Sequence, residues 1–206
     1  MFTKTEIATF AAGMMGQSIE FINIDTETST HAKVMKRYFS KAVTETLKYE
    51  WNVLTKTAAL SLIEEDPSPK WQFAYSKPAD AEVIRRLESD NYFPVDKQYE
   101  DQKVQFELIY TTSGYDIHTN IDNAYAEYTV RPADVGPYID HLAWAIAANL
   151  AMITAPIIMT NNYQKMKDLF LKDARNVISA QIAHDITLRP EPLAADSPFI
   201  RARSRS

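Results

Sequence analysis

The spacing of apolar residues predicts two kinds of structure along this chain. Before position 51 and after position 137 the apolar residues recur every three or four positions, which is the period of an amphipathic α-helix. Between positions 53 and 130 they instead form short runs separated by turn residues, which is typical of β-strands. The pattern therefore predicts an α+β protein that is mainly an α-helical bundle of about four helices, with a small antiparallel β-sheet inserted into it.

Four stretches are predicted to form the helices, at about 3–16, 30–50, 138–155 and 161–185. Thr3 and Glu6 have the spacing of a capping box at the start of the first helix, and Gly16 is typical of a helix end. The third stretch is apolar almost all round, so we place it at the centre of the bundle and not across a membrane. Pro156 is expected to end or kink this helix.

The β-rich insertion is predicted from four apolar runs, at 71–75, 83–87, 104–110 and 125–130. Phe106, Leu108 and Tyr110 alternate with other residues, as in a strand with one better-buried face. The sequence Pro67-Ser68-Pro69 is expected to break the chain before the first of these runs.

The last twenty residues have a different composition from the rest of the chain. They contain Pro190, Pro192 and Pro198, and alone they cannot bury enough apolar surface to fold. We therefore predict one domain at 1–186, followed by an extended C-terminal segment at 187–206 that needs a partner surface. Apolar and guanidinium groups dominate interface hot spots, and this segment offers them together at Leu193, Phe199, Ile200, Arg201 and Arg203.

Composition excludes several classes of site. The chain has no Cys, so disulfides, thiolate metal sites and Cys nucleophiles are absent, and its 4 Gly argue against a glycine-rich nucleotide loop. No cofactor is expected. The formal net charge is −5, whereas the C-terminal segment carries four Arg against Glu191 and Asp196. An acidic body with a basic end indicates that the two regions meet different partners.

Two groups of side chains are candidates for a metal site or a catalytic site. None of the four histidines pairs with another at metal-ligand spacing, and His141 is interpreted as a hydrogen-bonded core or helix-terminal histidine. Glu64, Glu65 and Glu107 could supply the carboxyl groups of a glycosidase, which needs two of them across the scissile bond. The simpler interpretation of the Glu64-Glu65-Asp66 sequence is a solvated turn.

A basic stripe runs along the second predicted helix. It could touch DNA phosphates or an acidic neighbouring subunit, and the subunit is the favoured partner of the two. The favoured interpretation is nevertheless an ordinary solvated face that the nearby Asp25 and Glu27 balance. The stripe consists of Lys33, Arg37, Lys41 and Lys48.

The run Trp71–Asp80, which reads Trp-Gln-Phe-Ala-Tyr-Ser-Lys-Pro-Ala-Asp, is the most specific sequence feature. With several weaker landmarks it resembles the tail tubular protein A family, the head-to-tail adaptors or gatekeepers of tailed bacteriophages. Those landmarks are Met15-Gly16 with Ile19, Trp51, the strand at 104–110, Leu142-Ala143, Leu150-Ala151, Tyr163, Phe170 and Ala174.

The resemblance implies a virion protein without enzymatic activity, made in the host bacterial cytoplasm and located at the head–tail junction. It implies a ring of copies, usually twelve, that connects the portal protein to a tail nozzle or other tail component. Double-stranded DNA would pass through the ring without sequence-specific binding during packaging and ejection. It also implies that the C-terminal segment, from Leu193 to Arg203, docks on the portal.

Two other functions are compatible with the sequence. The first is a virion-associated peptidoglycan hydrolase that uses Glu64, Glu65 or Glu107 as its acid. The second is a free-standing bacterial DNA- or protein-binding module, and the net charge of −5 argues against its DNA-binding form.

Overall fold

The computed structural model describes residues 2–89, 105–112, 114–132, 138–159 and 163–188. The described chain folds as two compact units. The helical unit contains Met1–Leu54 and Arg131–Leu188, and the sheet unit contains Thr55–Val130. The sheet unit is thus inserted in sequence between the second and third helices of the helical unit.

Four α-helices and one short 3-10 helix form the described part of the helical unit. The α-helices lie close to the stretches that apolar periodicity predicts. Their bounds are Lys4–Met14 for α1, Thr30–Leu47 for α2, Asp140–Ile158 for α3 and Tyr163–Leu188 for α4, and the 3-10 helix spans Asn52–Leu54.

Local sequence fixes both ends of α1. The Thr3 side chain accepts a hydrogen bond from the backbone of Glu6, and the Glu6 carboxylate accepts one from the backbone of Thr3, which confirms the predicted capping box. Gly16 follows the helix with φ of +70°, a conformation that favours glycine because it lacks a Cβ. The Gln17 backbone then donates to the carbonyl of Ala12 and closes the last turn.

Helix α3 is the centre of the helical unit, because α1, α2 and α4 all pack against it. Small side chains such as Ala143, Ala147 and Ala151 are fully buried on it and allow the neighbouring helices to approach closely. By length and composition α3 could cross a membrane, but most of that window is buried inside the unit, as in a core helix. Pro156 lies inside α3, so the helix does not end at this proline.

Seven antiparallel strands form two sheets in the described part of the sheet unit. The strand order is β1-β7-β4 in the three-stranded sheet and β2-β3-β6-β5 in the four-stranded sheet. The bounds are Thr55–Ala59 for β1, Ser61–Ser68 for β2, Trp71–Ser76 for β3, Ala81–Ser89 for β4, Phe106–Thr111 for β5, Gly114–Thr119 for β6 and Ala124–Val130 for β7.

Residues from both sheets share one apolar core. Tyr75 and Ile117 come from the four-stranded sheet, and Leu87, Ala126 and Tyr128 come from the three-stranded sheet. The sheet unit therefore has its own hydrophobic core, separate from that of the helical unit.

The prediction of a mainly helical bundle with a small inserted sheet is wrong. Over the residues that the structure describes, the chain is a sheet-rich α+β fold with 46% helix and 31% strand. The prediction missed β1, β2 and β6, because these strands are too polar to show an apolar run. The expected break at Pro67 is also wrong, since β2 continues through it to Ser68. An edge strand tolerates proline, because one side of its backbone has no strand to bond.

Candidate interaction surfaces

The run Trp71–Asp80 forms β3 and the turn that follows it. Trp71, Ala74 and Tyr75 are buried, so the aromatic side chains of the run belong to the interior of the sheet unit. The Tyr75 hydroxyl donates to the carbonyl of Ile121 at 2.8 Å, and the Trp71 indole N–H donates to the Glu107 carboxylate at 3.1 Å. These contacts tie the run to the loop before β7 and to β5.

Asp80, the last residue of the run, joins β1 to β7. Its carboxylate accepts hydrogen bonds from the Lys56 ammonium at 2.7 Å and from the Tyr128 hydroxyl at 2.9 Å. The bond from Lys56 and then that from Tyr128 hold the pKa of the Asp80 carboxyl below its ordinary value, while the bond to Asp80 raises the pKa of Lys56. The ion pair is solvent-exposed, so its contribution to stability is small.

The lowered pKa of Asp80 predicts a pH dependence. A carboxyl with a lowered folded-state pKa contributes stability above its unfolded pKa, near 4, and loses it as the pH falls through the folded value. We expect the difference in free energy of unfolding between the native chain and Asp80→Asn to be largest near pH 6 and to shrink below pH 4. Urea unfolding across that range measures it.

Asp168→Asn is the matched control, because Asp168 is an exposed carboxylate on α4 without an ion pair in the described residues. A difference between the native chain and Asp80→Asn that stays constant from pH 6 to pH 3 would show that the charge of Asp80 does not support the fold.

The predicted basic stripe lies on α2 and its C-terminal cap, and all four of its side chains are exposed. Lys48 differs from the others, because its ammonium pairs with Glu45 at 2.7 Å. Lys33, Arg37 and Lys41 have no ion pair within the described part of the chain. Since they are four residues apart, these three lie along one face and span about 12 Å of the helix.

Asp25 forms no ion pair with the cations of this stripe, although one of its two partners, Lys36, lies on the same helix. Its carboxylate contacts the ammonium of Lys4 at 2.7 Å and that of Lys36 at 3.8 Å. Glu27 also lies elsewhere, with its carboxylate accepting from the Ser29 hydroxyl at 2.8 Å. The three cations therefore face solvent without local compensation.

Arg131 adds a fourth positively charged side chain beside this face of α2. Its guanidinium donates to the Ser40 hydroxyl at 2.8 Å and to the Thr44 hydroxyl at 3.0 Å. Ser40 and Thr44 lie on the same side of α2 as Arg37 and Lys41, by the helical period. The positive charge on this side is therefore greater than the α2 sequence alone predicts.

His141, at the start of α3, and Asp185, near the end of α4, form a buried pair. His141 Nε2 lies 3.0 Å from Asp185 Oδ1, and Asp185 is fully buried. The same carboxylate accepts from the backbone N–H groups of Asn52 at 2.5 Å and Val53 at 3.4 Å. This confirms that His141 is a hydrogen-bonded core histidine, and it shows that Asp185 caps the 3-10 helix from α4.

The carboxylates considered for a hydrolase do not form a catalytic pair. The strand register aligns Glu64, Ala74, His118 and Glu107 in one row, so two strands separate Glu64 from Glu107. At the usual strand spacing their Cα atoms lie about 14 Å apart. Hydrogen bonds from Lys70 and then Trp71 hold the pKa of Glu107 below its ordinary value, which is unfavourable for a general acid.

A groove of about 170 Å³ lies between the end of α1 and α4. It is smaller than the roughly 300–1,000 Å³ of sites for drug-sized ligands. In the described residues, no group of three or more His, Asp or Glu is placed to hold a metal ion. The groove is lined by Met14, Leu169, Phe170, Asp173, Ala174 and Val177.

The predicted docking residues of the C-terminal segment, Leu193, Phe199, Ile200, Arg201 and Arg203, lie outside the described residues. The described residues therefore include the α2 stripe but not the segment that the sequence favours for docking. No model of a known protein family matches this chain, and no curated protein matches it.

Proposed function

We propose that this protein is a head-to-tail adaptor of a tailed bacteriophage, a subunit of a ring between the portal protein and a tail component. The observation that carries the proposal is the Trp71–Asp80 run, which resembles that of the tail tubular protein A family. The ring would serve as a conduit for double-stranded DNA, holding the packaged genome and releasing it at ejection. No reaction and no cofactor are part of this function.

The contacts of the run support a structural role for it. Trp71 and Tyr75 hydrogen-bond to neighbouring segments, and Asp80 connects β1 to β7 through Lys56 and Tyr128. These side chains are therefore engaged in contacts within the sheet unit, as expected of residues that maintain a scaffold.

The electrostatics also support a conduit. The formal charge of the chain is −5, although α2 with its cap carries five basic residues and one acidic residue. The rest of the chain is therefore −9. A predominantly acidic ring would repel DNA phosphates and allow the genome to slide without binding.

The mass of the complex with portal tests the proposal. We expect native mass spectrometry of this chain mixed with assembled portal from the same phage to show a multiple of the 23.5 kDa subunit, close to twelve copies per portal ring. Portal that carries no copies at micromolar concentrations of the chain would contradict the proposal.

Peptidoglycan release by the purified chain is the matching assay for the hydrolase alternative. Sustained release that Glu107→Gln abolishes would overturn the adaptor as its function. We expect the purified chain to release no peptidoglycan and to bind to portal rings.

A further inference from the structure

The exposed face of α2 has a complementary surface on the sheet unit. Strand β2 is an edge strand of the four-stranded sheet, paired only with β3 in the described residues. Glu64, Glu65 and Asp66 on it are exposed and have no ion pair within the described part of the chain. They follow Leu62 and Ile63, which are 49% and 52% exposed.

We propose that these two surfaces are the two halves of one contact between copies of this chain. Lys33, Arg37 and Lys41 of one copy pair with the β2 edge of the next copy, which is defined here as Leu62–Asp66. This inference rests on the proposed ring, because it names the surfaces that join neighbouring subunits.

Charge complementarity selects a second copy as the occupant of the α2 face. The segment from Thr30 to Thr44 contains four basic residues and no Asp or Glu, whereas the β2 edge contains three consecutive carboxylates and no Lys or Arg. Leu62 and Ile63, the two exposed apolar side chains of the β2 edge, would also be buried in the contact. They would supply apolar contact area, which charge pairs alone do not provide.

DNA is a weaker match for the same face. Each copy offers only three unpaired cations along α2 for contacts with phosphate groups. The remainder of the chain, at −9, would oppose the approach of a polyanion. A neighbouring copy, by contrast, presents its carboxylates at the high local concentration of an assembly.

The contact is heterologous, because two different surfaces meet. Heterologous contacts repeated by rotation form closed rings when the rotation closes, which is the symmetry that an adaptor requires. Each exposed ion pair is weak, but every copy in a closed ring makes the contact twice, once with each surface.

Charge reversal in the full-length chain tests the inference. The α2 variant is Lys33→Glu, Arg37→Glu and Lys41→Glu, and the β2 variant is Glu64→Lys, Glu65→Lys and Asp66→Lys. We expect each variant alone to need at least about tenfold more protein than the native chain to fill portal rings, because the attraction between the two surfaces becomes repulsion. Native mass spectrometry across a concentration series measures the filling.

An equimolar mixture of the two variants is expected to fill portal rings as the native chain does. In the mixture the reversed α2 face of one variant meets the reversed β2 edge of the other, and the two unreversed surfaces meet in the next contact. The matched control reverses Lys167, Lys172 and Arg175 on the exposed side of α4 to Glu, which makes the same change in net charge as the α2 variant. This control should fill rings normally.

Three results would overturn the inference. Normal filling by both variants removes the contact but leaves the proposed adaptor intact. Normal filling by the α2 variant, together with loss of salt-sensitive retention on duplex DNA, assigns the face to DNA. A native chain that never loads portal overturns the adaptor proposal as well. Far-ultraviolet circular dichroism melts verify that the variants, whose changes are all on exposed side chains, are folded.

Discussion

Replacing Asp185 by Ala is expected to lower the free energy of unfolding by about 3–5 kcal/mol, because several buried donors lose their acceptor at once. The Asp185 carboxylate is fully buried and satisfies three donors, on His141, Asn52 and Val53. Removing it leaves those donors without an acceptor, and each buried unsatisfied donor is costly. Urea unfolding monitored by circular dichroism measures the loss.

Two variants calibrate this result. Asp168→Ala changes an exposed carboxylate on the same helix and is expected to cost less than about 0.5 kcal/mol. Asp185→Asn keeps one carbonyl acceptor and should fall between the two. A cost below about 1 kcal/mol for Asp185→Ala would mean that the pair does not hold α4 to the 3-10 helix.

Removing residues 189–206 is expected to leave the protein folded and to weaken portal binding by about a hundredfold or more. Helix α4 continues to Leu188 and Asp185 is part of the buried network, so a cut after Leu188 spares every described contact. The segment removed carries the predicted apolar and guanidinium anchors, and the loss of two or more hot spots is large. Surface-immobilised portal and a dilution series of the truncated chain give the affinity.

Point variants distinguish docking from a general effect of truncation. Phe199→Ala with Arg201→Ala and Arg203→Ala should reproduce most of the loss. Arg205→Ala removes one guanidinium group from the same segment at a position outside the predicted anchors, and it should bind nearly as the native chain does. Undiminished binding by the truncated chain would exclude a docking role for the segment.

The helices could be predicted from the sequence because their signals are local. The capping box of Thr3 and Glu6 and the stop at Gly16 depend on residues within a few positions of each other, and the structure has both. The buried position of α3 followed from its lack of a polar face. The continuation of α3 through Pro156 could not be predicted, because packing against neighbouring helices outweighs the hydrogen bond that proline removes.

The extent of the β-structure could not be predicted, because three strands lack an apolar signature. Strands β1 and β2 lie at sheet edges, and β2 carries Glu64, Glu65, Asp66 and Pro67 in sequence. Charges and proline are what exposed edge strands commonly use to avoid pairing with other chains. A search for apolar runs therefore misses edge strands that face solvent.

The candidate surfaces were predictable only in part. Helical spacing alone predicted a basic stripe on α2, but not that Lys48 pairs with Glu45 while Asp25 pairs with Lys4 and Lys36. The role of Asp185 had no local signal, since its partners Asn52 and Val53 are more than a hundred residues away. A lone Asp near the end of an otherwise amphipathic helix is the only hint.

A low-resolution image of the phage particle that carries this chain, with a label on the chain's N-terminus, tests the account most directly. For a head-to-tail adaptor we expect a ring of label at the head–tail junction, between the portal and the tail, with the copy number that the portal complex gives by mass. Label found elsewhere on the particle, or a particle without the chain, would contradict the claim that this protein joins head to tail.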